Sequence, residues 1–440
     1  MFKCKECGYR TLKWLGKCPE CDSWDSFVEE EERYKRKSTT LSDIKPQYLN
    51  EIKAKGKERV STGLLEFDRV IGGGVVIGSI VLVSGEPGIG KSTLLLTISG
   101  ILSREKKVIF ISGEESMSQI RLHAERIGIL EDKILILSEM NILAILSCIE
   151  SENPDIVIID SVQAVSIPDG NGMPGSVSVV REIASAIIEV AKKKDITIFL
   201  VGHITKSGNI AGPKTLEHMV DTVLFMEGDR THSFRLLRCK KNRFGSTNEV
   251  GIFDMDEKGL KEVKNPSLYL ISGKQENSSG SVIIPTVEGS RTIMVETQAL
   301  VIPMRFSYPG RVAQGFNERR LDLLVAVIQK RLNMNMSNYD IFCNIAGGMS
   351  VLEPSIDLGV ILSIISSLLD KPISDELCVV GEVGLSGEVR GVPYISSRIH
   401  EAKRMGFKRI VTPDNAPDEN KDINVIKVSN ISQAKDICGL

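Results

Sequence analysis

The sequence predicts a multidomain chain: a small metal-held ribbon, an α/β nucleotide-binding domain with a mostly parallel sheet, and an α+β domain at the C-terminal end. Three observations carry this. Four cysteines stand in two CxxC pairs within the first 21 residues. A buried strand enters Gly85-Glu86-Pro87-Gly88-Ile89-Gly90-Lys91-Ser92, a complete GxxxxGK[ST] loop, with a helical pattern behind it. Beyond residue 265, strands and helices follow in mixed order rather than in strict alternation. The length agrees, since 440 residues exceed what one hydrophobic core supports. A hydrophobic fraction of 42% and a charged fraction of 25% exclude a globally disordered chain.

The ribbon spans residues 1–28. Cys4 and Cys7, then Cys18 and Cys21, each form a knuckle that aims two thiolates at one ion, and Zn2+ suits four soft thiolates. The segment is too short for an apolar core, so the metal supplies most of its folding energy. A redox CxxC pair expects a βαβ context that is absent here. Trp14 and Trp24, the only two tryptophans, are expected to pack against the site. Nine cysteines, most of them scattered, do not make a secreted disulfide framework. The start, Met1-Phe2-Lys3-Cys4, has no apolar signal core, and no apolar run reaches the ~18 residues of a membrane span. A cytoplasmic protein without membrane contact is expected.

Residues 29–59 read as a charged linker, with Glu29 to Glu32 followed by Arg33, Lys35, Arg36 and Lys37. The nucleotide-binding domain is placed at 60–264. Ser79 to Ser84 forms the strand before the loop, and helix-forming residues start at Thr93. Glycines let backbone N–H groups wrap phosphates, and the helix N-terminus favours the anion. Residues 85–93 are therefore candidates for nucleotide binding, with Lys91 on the β- and γ-phosphates and Ser92 on Mg2+.

Further strands are expected at Lys107–Ser112, Asp155–Ile159 and Ile196–Val201. Ligands of open α/β sheets collect at the carboxyl ends of strands. Asp160 thus becomes the second Mg2+ group, acting through water. Glu114 or Glu115 is placed to polarise the attacking water, and His203 to meet the γ-phosphate. Loops at Gln163–Ser178 and Thr205–Pro213 lie at the same end, where loops are commonly functional. Arg235 to Gly245 carries five basic residues and no acid, which favours an interface with a neighbour's phosphates or with DNA over a solvated face. The whole chain has 55 basic and 57 acidic residues, so its charge of −2 averages unlike parts.

The last domain is placed at 265–440. It holds an expected helix at Arg319–Arg331, a strand at Tyr339–Ile345, a buried helix at Leu358–Leu369, a hairpin at Gly381–Val389, an amphipathic helix at Ile395–Met405 and a strand at Lys408–Val411.

Ribbon, loop, Lys241-Asn242-Arg243-Phe244-Gly245 and α+β domain, in that order, resemble the bacterial RadA (Sms) family of DNA-repair proteins over essentially the whole chain. The pentapeptide is that family's signature. The resemblance implies a RecA-like ATPase core that forms hexameric rings and translocates on single-stranded DNA. It implies work in homologous recombination, on branched DNA, with the RecA recombinase as partner. Glu114 takes the catalytic position, His203 that of the γ-phosphate sensor, and Lys241 and Arg243 those of basic residues reaching into a neighbour's ATP. Arg390, Arg398, Lys403, Arg404, Lys408 and Arg409 would fit a DNA-binding scaffold. An ATP-gated scaffold that binds branched DNA and recruits RecA without motor activity is the alternative. A KaiC-like autokinase shares the glycine-rich entry to the loop, but the ribbon and last domain argue against it.

The last domain resembles the proteolytic domain of Lon. Ser355 sits near the position of Lon's serine, but Ser396 stands where the partner lysine is expected. A serine without its base is a poor nucleophile, so no peptidase is expected. Ser355 is read instead as the N-cap of the next helix.

Overall fold

The computed structural model describes residues 2–6, 10–11, 14, 16–29, 48, 58–129, 133–168, 172–203, 211–228, 234–304, 309–417 and 422–440. Cys7 and most of the expected linker lie outside the described residues, as do 169–171 and 204–210 of the two loops. The chain divides into two units, Met1–Gly56 and Lys57–Leu440.

In the first unit, β1 (Phe2–Cys4) pairs antiparallel with β2 (Arg10–Thr11) and with β3 (Phe27–Glu29). Among the described residues, its buried apolar cluster is Cys4, Cys18 and Phe27, with Cys21 against them. Trp14 and Trp24 are 53% and 74% exposed, contrary to the expected packing.

The second unit opens with a short ladder of β4 (Arg59–Val60) and β5 (Val75–Val76) around α1 (Leu65–Ile71). A nine-stranded sheet follows. Its parallel part consists of β6 (Ile80–Gly85), β7 (Val108–Ser112), β8 (Ile134–Ser138), β9 (Ile156–Asp160), β10 (Thr197–His203) and β11 (Thr222–Glu227). The crossovers are α2 (Lys91–Leu102), α3 (Met117–Arg126), α4 (Ile142–Glu152), α5 (Val177–Lys194) and α6 (Ala211–Met219). Helix α6 begins inside the stretch read as a loop, because a proline in a first turn costs no helical hydrogen bond. Successive residues of β6 enter opposite cores: Val81 and Val83 face one, Ile80 and Leu82 the other. This two-sided burial explains the unbroken apolar runs.

Three strands extend the sheet beyond β11 in antiparallel order, the first of them over the segment for which a solvated strand is the less favoured reading: β12 (Phe234–Asn242), β13 (Val250–Asp256) and β14 (Gly259–Glu262). The basic segment is therefore mostly strand, and its charges are dispersed. Arg235 is buried, Arg238 pairs with Glu227 and Glu288, and Lys240 lies 3.8 Å above the Phe225 ring. Partners from distant segments replace the acids missing locally.

After α7 (Pro266–Ile271) comes a seven-stranded sheet. Its strands are β15 (Ser281–Glu288), β16 (Arg291–Pro303), β17 (Arg311–Gln314), β18 (Tyr339–Ile345), β19 (Leu377–Val379), β22 (Arg409–Pro413) and β23 (Asn424–Val428). The hairpin of β20 (Glu382–Val383) and β21 (Val389–Arg390) stands apart from it. Helices α8 (Glu318–Arg331), α9 (Asp357–Leu369), α10 (Ile395–Arg404) and α11 (Ile431–Ile437) complete the layer, and α9 is buried through most of its length.

Two expectations for this layer fail. Ser355 is not a helix cap: it is buried in a 3-10 turn, and Ile356 occupies the N-cap of α9. Arg398 is not on a DNA-facing surface. It is fully buried, donating to Pro285 O at 2.6 Å, to Ser355 Oγ at 3.1 Å and to Glu353 at 2.6 and 2.9 Å. A guanidinium stays protonated and accepts no proton, so it holds the serine without activating it. Arg390, Lys403, Arg404 and Lys408 each pair with an acid, namely Glu388, Asp422, Glu401 and Glu376.

Two ion pairs join the sheets of the second unit. Glu66 of α1 is buried, accepts from Arg291 at 2.6 Å and also receives the Ile252 N–H. Arg238 bridges Glu227 at 2.9 Å and Glu288 at 2.8 Å.

Candidate functional site

Strand register assembles the site. In the ladder between β10 and β6, His203 lies opposite Gly85, and between β7 and β9, Ser112 lies opposite Asp160. The carboxyl ends of four neighbouring parallel strands thus meet where β6 turns into the phosphate loop.

Gly90 has φ 113°, a left-handed conformation, and a Cβ there would lie 2.4 Å from Met255 Cε. It precedes α2 with no side-chain cap, so the first N–H groups of the helix face outward for an anion. Lys91 is buried and donates to the loop carbonyls of Gly85 at 3.0 Å and Glu86 at 2.9 Å. Burial lowers its ammonium to about 8, against the opposing pull of Asp160 and Glu114. Asp160 is buried too, which raises its carboxyl, and the Ser92 hydroxyl hydrogen-bonds it. A buried carboxylate beside a hydroxyl is a hard-oxygen donor set that fits Mg2+.

Glu114 and Glu115 part company here. Glu114 accepts from the Ser161 hydroxyl and lies 3.1 Å from His203 Nε2. The His203 hydrogen bond holds its carboxyl down at about 2, burial opposing. Glu115 turns the other way, 4.0 Å from His123 Nδ1, and burial raises its carboxyl. Glu114 is therefore the one of the two that joins Ser161, His203 and Lys91.

Lys241 and Arg243 are not in this cluster. Antiparallel β12 starts at the loop, where Arg235 Nε donates to Ile89 O at 3.2 Å. Going on to Lys241 covers roughly 20 Å. There Lys241 Nζ donates to the carbonyls of Glu217 at 2.6 Å and Val220 at 2.8 Å, favourable for a cation at a helix C-terminus. Arg243 Nη1 lies 3.3 Å from Asp221 Oδ1, and the other oxygen of Asp221 accepts from Ile80 N, at the amino end of the central strand.

Sequence reasoning missed Ser161, His123 and the role of Arg235 as a brace of the loop. Adjacency of Ser161 to Asp160 was the only available signal for the first.

In the ribbon, the sulfurs of Cys4, Cys18 and Cys21 all lie within 4.8 Å of one another, and those of Cys4 and Cys21 are 3.6 Å apart. Tetrahedral Zn–S bonds of about 2.3 Å put sulfurs about 3.8 Å apart, so the set fits that ion. Cys7 lies outside the described residues. Chelation is expected to release four thiols to a thiol reagent, at Cys4, Cys7, Cys18 and Cys21, and to unfold the ribbon. Equal thiol counts with and without chelator would refute the site.

Fold and site together define a P-loop ATPase core of the KaiC and RecA kind, set between a zinc ribbon and a ChlI- and Lon-like domain. Family models agree: the rubredoxin metal binding domain matches residues 2–29, the KaiC ATPase 60–147, and subunit ChlI of Mg-chelatase 314–416. The chain belongs to the RadA family of DNA repair proteins. It is 48% identical to DNA repair protein RadA of Bacillus subtilis, over 98% of this chain and 97% of that one. It is 45% identical to that of Listeria monocytogenes, over 98% and 96%. A KaiC-like protein of Pyrococcus horikoshii aligns with 47% of this chain and 99% of its own, at 21% identity and a TM-score of 0.40. Among the described residues no helix is long and apolar enough to cross a membrane.

Proposed function

We propose that this chain is a DNA-dependent ATPase motor. It assembles into a hexameric ring, translocates on single-stranded DNA and, with the RecA recombinase, drives branch migration of recombination intermediates. The carrying observation is the separation of Lys241 and Arg243 from the chain's own phosphate loop, at opposite ends of one strand. They have no reach to that loop, so their use in hydrolysis requires a second subunit's nucleotide.

The roles follow from the chemistry. Residues 85–93 bind the triphosphate, with Lys91 on the β- and γ-phosphates. Ser92 and Asp160 would hold Mg2+, which would supply positive charge against the phosphates. Glu114 orients and polarises the attacking water, held in place by Ser161 and His203, and His203 reads the γ-phosphate. The four ribbon cysteines hold Zn2+. A division of the second unit near residues 264–265 separates motor from Lon-like domain, and peptidase activity is absent because Arg398 occupies Ser355.

The test is ATP turnover with and without single-stranded DNA, alongside strand displacement on forked substrates. Stimulation by the DNA and ATP-driven displacement are expected. ATP-dependent binding of branched DNA with neither would leave the scaffold reading in place of the motor.

A further inference from the structure

Thr93 ends the phosphate loop inside the first turn of α2, and its side chain has contacts on two sides. The methyl faces the backbone of Gly259, where a Cβ would lie 3.4 Å from Thr93 Cγ2. The hydroxyl lies 3.2 Å from His123 Nε2.

His123 comes from α3, a separate crossover, and is itself fixed. Helix α3 is anchored by a Ser116–Gln119 capping box, and Glu115 lies 4.0 Å from the other ring nitrogen. Burial lowers the imidazole below its ordinary range, Arg126 adding to this and Asp160 opposing it. At neutral pH the ring is neutral and carries one N–H. Whichever ring nitrogen carries that hydrogen, the contact between Nε2 and Thr93 Oγ1 fixes the rotamer of the hydroxyl, beside the open N–H groups of the same turn.

We infer that His123 is a positioning residue for nucleotide binding, fixing the orientation of the Thr93 hydroxyl at the phosphate loop from a neighbouring helix. This rests on the reading of residues 85–93 as the nucleotide site. It deepens that reading by adding a side chain outside the loop motif that sets the affinity of the loop.

Because the contact orients a group that meets the ground-state nucleotide, losing it acts on affinity and leaves turnover at saturation alone. His123→Phe keeps the packing and removes the hydrogen bond. ATP KM, and Kd for a fluorescent ADP analogue, are expected to rise about tenfold, the equivalent of one lost hydrogen bond, with kcat within about twofold of wild type. His123→Gln sets an amide N–H where Nε2 was and is expected to restore affinity. His123→Asn, too short to reach, is expected to resemble the phenylalanine variant. In a Thr93→Val background the His123→Phe change is expected to add nothing further.

Wild-type affinity in His123→Phe overturns the inference, and so does equal loss in the Gln and Asn variants, which would make the residue a packing element. Should the phenylalanine variant not fold, the Gln and Asn pair decides alone. Lys91→Ala in the same titration separates the two levels: if wild type binds no nucleotide, the loop reading itself has failed. If wild type binds and Lys91→Ala does not, a null result at His123 concerns His123 only.

Discussion

Lys91→Ala is expected to abolish ATP hydrolysis, with a loss of about 10^3-fold or more, the scale of removing one preorganised charge partner. Lys91 is the one cation whose side chain enters the cluster of Gly85, Glu86, Asp160 and Glu114 among the described residues. It is 3% exposed, so neither water nor a bulk cation substitutes for it. Its present partners are two loop carbonyls, which release it once phosphate oxygens arrive. Alanine leaves those carbonyls without a donor, at about 1–3 kcal/mol for each buried group. The loop loosens while the rest of the nine-stranded sheet keeps its packing. Circular dichroism should stay unchanged and nucleotide affinity should collapse. Wild-type turnover in a folded Lys91→Ala protein would end the assignment of this loop.

Arg243→Ala and Lys241→Ala give the second large effect, and its signature is complementation rather than loss. Each alone should lower ATP turnover by about 10^3-fold, the lower end of what a cation supplied in trans contributes. Nucleotide binding should survive, since neither side chain approaches its own loop. Mixing Lys91→Ala protein with Arg243→Ala protein then restores activity. A ring built head to tail forms roughly a quarter of its junctions from an intact loop and an intact neighbouring arginine. Two inactive preparations that become active on mixing have no explanation within one subunit. If the mixture stays inactive while both partners bind ATP and assemble, these residues act elsewhere, on DNA phosphates or on the fold. On that reading the tether of Lys241 to the carbonyls of Glu217 and Val220 would have to open for the contact, which would couple ATP binding to subunit docking.

Much of the site was legible because it follows one topological rule. Asp160, Glu114 and His203 stand where apolar runs end, and parallel strands bring such ends together. The choice between Glu114 and Glu115 was not legible, since adjacent residues leave a strand end in opposite directions and only three-dimensional partners separate them. Arg235 illustrates a general limit. In a run of basic residues it reads as surface, yet its partner is Ile89, 146 positions away in sequence. Local charge says nothing of such contacts. Ser355 shows the same: its neighbour is the buried Arg398, two positions beyond the Ser396 that alignment suggested. The antiparallel extension β13–β14 escaped notice because its mixed polar and apolar pattern resembles an exposed edge, which in part it is.

The ion pairs Glu66–Arg291 and Arg238–Glu288 have a mechanical consequence. Their carboxylates are largely withdrawn from water, so pulling one partner away leaves a poorly solvated charge, at a cost of about 3–5 kcal/mol for a buried pair. A swing of the nucleotide-binding sheet against its neighbour would break both together. Tilting the two as one body breaks neither. The seven-stranded sheet is therefore keyed to the nine-stranded one, so that a tilt of the sheet bearing the phosphate loop carries both, as a key turns with its shaft.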